Sequence, residues 1–329
     1  MLKKQSLFFV VSLIVILSML VTACGGKNNA TSNAPKEEKV TPSESVTEAP
    51  AALRTYETAK GKVEIPVKPQ RIVTDFYAGE LLSVGANVIG VEPTAFDNPF
   101  LTELLKDAKD VGTPVNPEKV LELQPDLIVV MNDENYEALS KIAPTIHIPY
   151  GTTSNITETV KFFGDIVGDP EKAEQFIANF EQKAKEGRDK LEGVIDKNAT
   201  FGIYELTDKD DLWIFGDNAG RAGQVLYNAL QLNKPHKDSN GEQTLQLSME
   251  LLPEYAADYM FLTTYDPEKK GEALKKLQSS PVWKNLDSIK NNTLFYNDFD
   301  TFYRYDPIAI VGQIDLIVDM LIERSKENK

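Results

Sequence analysis

One pattern of strands and helices is written into this chain twice. In the first half, Arg71-Ile72-Val73-Thr74 has the branched apolar make-up of a strand, Asp75-Phe76-Tyr77 is a loop, and Gly79 to Val84 a helix. Val88 to Val91 is the next strand. Asn116-Pro117-Glu118-Lys119-Val120-Leu121 then starts a helix with proline in its first turn. Pro125-Asp126 ends it, and Leu127 to Met131 is an unbroken apolar run, as a parallel strand covered on both faces requires. A helix over 134–142 and a strand from Thr145 to Ile148 complete the unit. In the second half, Thr200 to Leu206 and Asp211 to Phe215 are strands, 216–223 is a glycine-rich loop, and Gln224 to Leu230 is a helix. Ser248-Met249-Glu250-Leu251-Leu252 opens a further helix that closes before Asp258, ahead of the strand Tyr259-Met260-Phe261-Leu262. The spacing from Glu118 to Asp126 equals that from Glu250 to Asp258. Trp283 to Ile289 adds a helix, Thr293 to Tyr296 a strand, and Ile308 to Arg324 a closing amphipathic helix. Strands alternating with helices in two matching halves predict two α/β lobes.

Between the halves lies helix alone. Ile156 to Val167 is one helix, and Asp169-Pro170 is an N-cap followed by proline at the first helical position of a second that runs to about Val194. Ala173, Phe176, Ile177, Phe180, Ala184 and Leu191 keep helical spacing along it. At 1.5 Å per residue, about 25 residues span ~37 Å, the length of a rigid spine between lobes. A crossover helix inside one continuous domain satisfies the same pattern. The expected division is 55–153 for the first lobe, 154–195 for the spine and 196–329 for the second lobe.

The first 54 residues are of another kind. Lys3-Lys4, an apolar run from Leu7 to Val21 and then Val21-Thr22-Ala23-Cys24-Gly25-Gly26 make a secretory signal over 1–23, too short for a comfortable membrane span. Small residues ahead of a lone cysteine resemble the lipobox of bacterial lipoproteins, in which the thiol takes a diacylglycerol. That resemblance makes Cys24, the one cysteine of the chain, a lipid anchor on the extracytoplasmic face of the cell membrane. Residues 24–54 are rich in Ser, Thr, Pro, Glu and Lys and lack aromatics, so they are expected to form a disordered tether. Without a second cysteine there are no disulfides. With 50 acidic against 35 basic residues and a net charge of −15, the chain is unsuited to nucleic acid and to electrostatic attraction by anionic lipid.

Catalytic and metal signatures are sparse. His147 falls in an apolar strand and reads as a core residue, and His236 follows Pro235 in a polar loop and reads as exposed. No HExxH or CxxC is present, so no protein-ligated metal is expected. There is no GxSxG either, nor a histidine beside a plausible serine, which argues against an enzyme. The loop from Gly216 to Gly223 has neither GxGxxG spacing nor a Walker lysine. What stands out is cations and aromatics at strand ends: Trp213 and Arg221 around the glycine loop, Phe302-Tyr303-Arg304-Tyr305 before the last helix, Tyr77 after the first strand and Tyr150 after the last strand of the first lobe. Ligands of open α/β sheets bind beyond the carboxyl ends of the strands, where these residues fall.

Together these features resemble the substrate-binding proteins of bacterial iron–siderophore and cobalamin import systems, over residues 55 to 325. Specific strings are most similar to the ferrichrome-binding, hydroxamate-siderophore branch: Phe96-Asp97-Asn98-Pro99-Phe100, Pro125-Asp126 with the strand after it, Trp213-Ile214-Phe215-Gly216, Gly220-Arg221-Ala222-Gly223, Val282-Trp283-Lys284-Asn285-Leu286, and Phe302-Tyr303 before Asp306-Pro307. The resemblance implies the class III periplasmic-binding-protein fold, two Rossmann-like lobes on a single long backbone helix. It implies a monomer that captures a ferric siderophore, with iron bound only through the siderophore and no cofactor, and delivers it to an ABC permease. It assigns chelate contact to Arg221 and pocket walls to Trp213 and Tyr303, and gives Glu118 and Glu250 to permease docking. Ala219, where relatives often carry an aromatic, and the added charge of Arg304 are departures that point toward a carboxylate-bearing siderophore. Citrate-type chelates, haem and cobalamin remain alternative ligands.

Overall fold

The computed structural model describes residues 52–217, 220–238 and 241–329. The expected signal, Cys24 and almost all of the expected tether lie outside these residues, as does Ala219. The described part opens with a hairpin absent from the sequence reading, β1 (Leu53–Thr58) against β2 (Gly61–Pro66), antiparallel. The hairpin starts two residues before the expected start of the first lobe at 55.

The first lobe continues with β3 (Ile72–Thr74), α1 (Ala78–Ser83), β4 (Val88–Val91), β5 (Lys109–Asp110), α2 (Pro117–Leu123), β6 (Leu127–Val130), α3 (Tyr136–Leu139) and β7 (Thr145–His147). Its five-stranded sheet has the order β5-β4-β3-β6-β7 and is parallel throughout. Ile72, Val73 and the whole of β6 are buried, as the apolar run required. The helix expected over 134–142 is a single turn, with hydrogen-bonded turns from Lys141 to Ala143 carrying the chain on to β7.

The spine is two helices, α4 (Ile156–Val167) and α5 (Pro170–Leu191). Asn155 caps the first by accepting from the Glu158 amide, Gly168 ends it at φ 69°, and Asp169 caps the second by accepting from the Lys172 amide. The second helix stops at Leu191, short of Val194. The single long backbone helix of the expectation is α5, with α4 packed against it.

The second lobe contains β8 (Phe201–Thr207), β9 (Leu212–Phe215), β10 (Thr244–Leu247), α6 (Leu252–Tyr255), β11 (Tyr259–Tyr265), α7 (Glu272–Ser279), α8 (Pro281–Lys284), α9 (Asp287–Lys290), β12 (Leu294–Asn297), α10 (Phe299–Phe302) and α11 (Pro307–Glu327). The sheet order is β10-β9-β8-β11-β12, parallel from β8 through β12 and antiparallel from β8 to β10. Three helical segments differ from expectation. Gln224–Ala229 is π-wound. The helix expected from Ser248 starts at Leu252, because Pro253 has no amide to donate to the preceding turn. The Trp283 helix is broken into α8 and α9 at Asn285-Leu286.

The two aspartates of the repeat do one job twice. Asp126, ahead of β6, accepts from the Gln70 and Arg71 amides at 2.7 and 2.8 Å, and Asp258, ahead of β11, accepts from the Thr200 amide and hydroxyl, both at 2.8 Å. Each ties the start of its own strand to the start of the neighbouring central strand. The largest apolar cluster runs from the first sheet through α1, α4 and α5 to α11 and β8, so one core underlies both lobes.

Candidate functional site

The carboxyl ends of both sheets open onto one cleft of about 1100 Å³. Several contacts cross between the lobes around it. Asn98 Nδ2 donates to Asp306 Oδ2 at 2.8 Å, Arg304 Nη1 to the Thr94 carbonyl at 3.3 Å, and Tyr150 Oη to Gln243 Oε1 at 3.4 Å, while the rings of Phe76 and Tyr305 sit 6.0 Å apart. The Asn98 string thus docks the first lobe on the start of α11.

Arg221 is set into the second-lobe wall by its backbone. Gly220, Arg221 and Ala222 all have positive φ, at 79°, 54° and 71°. A side chain at 220 would be strained by that φ and would place its Cβ 2.8 Å from the Tyr303 carbonyl oxygen, so only glycine lets the loop close against the Tyr303 segment. The guanidinium that follows donates from Nε to Glu205 Oε2 at 2.7 Å, with both side chains largely buried. Its Cζ lies 4.4 Å from the Phe215 ring centroid and 4.5 Å from that of Tyr303. Tyr303 stacks on Phe299 at 4.9 Å, one helical turn earlier on α10, and Phe299 meets Tyr265 at 5.2 Å. One wall of the cleft is therefore a run of rings with a guanidinium set among them, an apolar surface with a forked donor.

The floor is acidic. Asp75, 3% exposed after β3, accepts from the Met131, Asn132 and Phe76 amides at 2.8, 2.9 and 2.6 Å, yet burial still raises its carboxyl above the usual range. Glu80 on α1 is 5% exposed, and its Oε2 is buried without a hydrogen-bond partner. Burial, followed by the nearby charge of Asp306, holds Glu80 well above its ordinary value. Asp306 caps α11 by accepting from the Ala309 amide, and loss of solvent raises it as well. Nine of the residues lining the cleft are acidic and three are basic. Asn297, at the carboxyl end of β12, also lines it, with both amide atoms buried and unpartnered.

Among the residues singled out from sequence, Arg221, Tyr303 and Arg304 line this cleft. Trp213 does not. It pairs across from Glu205 in the β8/β9 ladder and packs partly buried against the main core. Phe302 is buried below the Tyr303 loop, and the Tyr77 hydroxyl is spent on the Ile148 carbonyl at 2.7 Å. Tyr77 and Tyr150 instead line a smaller pocket of about 150 Å³, which shares Phe76, Glu80 and Tyr305 with the main cleft. Arg304 pairs with Asp300 at 3.6 Å besides reaching Thr94. Glu118 and Glu250 are both exposed, the first in the first turn of α2 and the second in the turn before α6. His147 Nε2 contacts the Met131 carbonyl at 3.0 Å and His236 is exposed. Glu205 and Phe299 were missed, though each left a mark: a lone acid inside the apolar run of β8, and an aromatic four residues before Tyr303.

Comparison with known proteins agrees with this architecture. The periplasmic binding protein family model matches residues 72–301. The chain is 54% identical over 324 residues to the iron(3+)-hydroxamate-binding protein YxeB of Bacillus subtilis, covering 97% of this chain and 98% of that one. A FhuD fold-family periplasmic binding protein component of a Fep/Fec-like ferrichrome ABC transporter from Bacillus subtilis superposes with a TM-score of 0.75 at 31% identity, over 82% of this chain and all of its own. FhuD2 of Staphylococcus aureus with bound ferrioxamine B gives 0.69 at 27% identity, over 78% of this chain and all of its own. By its two sheets, its spine and this match, the chain belongs to the periplasmic binding protein family.

Proposed function

We propose that this protein captures a ferric hydroxamate siderophore outside the cytoplasm and passes it to an ABC permease. The observation that carries the reading is the wall in which Arg221, held by Glu205 and backed by the buried Phe215, stands beside Tyr303 and Phe299 at the mouth between two sheets. Rings give apolar contact to the arms of a bulky chelate, and a guanidinium gives directed donors to its iron-bound oxygens. Among the described residues no group of three or more His, Cys, Asp or Glu side chains is arranged to hold a metal ion. The similarity to an iron(3+)-hydroxamate-binding protein supports the same ligand class. Arg304 is engaged with Asp300 and Thr94 in a cleft rich in acids, so the case for a carboxylate chelate loses its support.

Intrinsic fluorescence titration against a ferric trihydroxamate, ferric citrate, haem and cobalamin tests the reading. The hydroxamate is expected to bind at least about a hundredfold more tightly than the others, a gap of ~2.7 kcal/mol. Tighter binding of haem or cobalamin would overturn it.

Delivery and anchoring complete the proposal. Among the described residues no helix is long and apolar enough to cross a membrane, and the lipobox-like string supports diacylglycerol on Cys24. Cys24→Ala is then expected in the soluble fraction. Glu118 and Glu250, exposed at matching places of the repeat, suit docking on a two-subunit permease. Glu118→Ala and Glu250→Ala should each lower iron uptake by cells with ligand affinity unchanged.

A further inference from the structure

The helix α10 is four residues long, too short to hold its own shape, yet it and the residue after it carry Phe299 and Tyr303 of the cleft wall. Its start is capped by Asp298, which accepts from the Thr301 amide and hydroxyl at 2.9 and 2.7 Å. Its end is held from another helix. Gln313 of α11 donates from Nε2 to the Thr301 carbonyl at 2.8 Å and to the Arg304 carbonyl at 2.9 Å, so one amide clasps the backbone on both sides of Tyr303. The last carbonyls of a helix have no partner within it, and a side chain from elsewhere is one way they are met. The Arg304 guanidinium meets another of them, its Nε donating to the Asp300 carbonyl at 3.1 Å.

Gln313 is costly where it stands. It is 0% exposed, and among the buried residues described on α11 it alone is polar. Its Oε1 is buried without a hydrogen-bond partner. An apolar side chain of similar volume would fill the same space with no unpaired oxygen, and a buried polar group is unfavourable unless its bonds are made. What the amide adds is therefore the geometry of the segment it clasps. That segment sets the wall: the Tyr303 ring stacks on Phe299 and lies 4.5 Å from Arg221 Cζ, and the Tyr303 carbonyl oxygen is the atom against which Gly220 closes. Gln313 itself lines neither the cleft nor the smaller pocket. From this clasp of two carbonyls around Tyr303 by a buried, half-satisfied amide, we infer that Gln313 is a positioning residue for ligand capture, acting on the chelate through Tyr303. The inference rests on the hydroxamate reading. Without the clasp, the Tyr303 segment has more conformations to lose when a ligand binds, and affinity falls by the cost of ordering it.

A thermodynamic cycle on the full chain tests this. Gln313→Met keeps the volume and removes both donors. Its dissociation constant for a linear ferric trihydroxamate should rise roughly two- to thirtyfold, the range for a residue that modulates binding through its neighbours. In a Tyr303→Ala background the same substitution should change affinity by a factor of about one, because the side chain it positions is gone. Ile317→Val, one turn further along α11 and equally buried, should lower stability in urea and leave affinity as in the unsubstituted protein. Gln313→Asn, whose amide is one methylene too short to reach both carbonyls, serves if Gln313→Met fails to fold and should lose affinity in the same direction. Unchanged affinity in a folded Gln313 variant would overturn the assignment. So would a loss that persists in full beside Tyr303→Ala, or one that Ile317→Val reproduces. Failure of the unsubstituted protein to bind the trihydroxamate would instead refute the hydroxamate reading, and this inference would fall with it.

Discussion

Three successive left-handed residues, two of them not glycine, are an unusual expense for an eight-residue loop, with strain of about 1–3 kcal/mol at each non-glycine position. The turn places the Arg221 guanidinium against Glu205 and two rings, and the position of the side chain is therefore set by the backbone before any ligand arrives. Arg221→Ala is expected to weaken ferric hydroxamate binding ten- to a hundredfold, about 1.5–3 kcal/mol, because it removes a charged donor and leaves Glu205 buried without this partner. Arg221→Lys should recover little of the loss, since an ammonium lacks both the fork and the flat face that rests on Phe215 and Tyr303. Dissociation constants at matched salt measure both. Glu80 makes a second prediction, this time of stability against pH. Its folded-state pKa lies above the unfolded value near 4.3, so the proton binds the folded state more tightly, and the group favours folding below that pH and opposes it as pH rises toward the folded value. Glu80→Gln should therefore match the unsubstituted protein in urea near pH 4 and exceed it progressively from pH 5 upward. A gain that shrinks with rising pH would refute the burial argument.

At the scale of elements, the matched spacing from Glu118 to Asp126 and from Glu250 to Asp258 turns out to be a strand-tying device at its aspartate end. Each aspartate brings the first residues of two neighbouring parallel strands into step. Asp126→Ala and Asp258→Ala should each cost about 1–3 kcal/mol in urea unfolding, since each strands two donors at the base of a sheet. Elements with a strong local signature were legible: the apolar run of β6, the Asp169-Pro170 start of α5, and the amphipathic run of α11, read from Ile308 and found to begin one residue earlier. Those that diverged are governed by groups far away in sequence or by a missing amide. Pro253 delays α6, and the chain after Gly223 winds as a π-helix where it packs against α5 and α11. The hairpin of β1 and β2 begins where the polar tether composition ends, and alternation over six residues is a weak signal beside it. Within the site, Arg221, Tyr303 and Arg304 were legible because cations and aromatics at strand ends are conspicuous. Glu80 and Asp306 were not, because only the fold brings α1 of one lobe against the start of α11 in the other.

For the whole molecule, the lobes are joined by more than the spine. Asn98 with Asp306, Thr94 with Arg304, Tyr150 with Gln243 and Phe76 with Tyr305 link them across the cleft, and Phe100 lies so close to Gly312 of α11 that a Cβ there would sit 2.4 Å from its ring. Wide hinging would have to break all of these at once. X-ray scattering of free and ligand-loaded protein should therefore give closely similar radii of gyration, and a large contraction on loading would show that the lobes swing freely. The position of α11 has a consequence for how the molecule comes into being. This helix packs on α1, α4 and α5 and on the π-wound segment, so it supplies buried residues to the core that both lobes share. It also lies far along the chain from α1, its partner in the first lobe. Contacts so distant in sequence form late, because the intervening chain must be ordered before they can repay its entropy. Without Pro307 to Glu327, α1 keeps α4 and α5 but loses its cover on the side of α11, and limited proteolysis of a chain ended before Pro307 should cut the first lobe faster than in the full chain. Assembly of the shared core thus waits until α11 has docked, however early the local elements of the first lobe form.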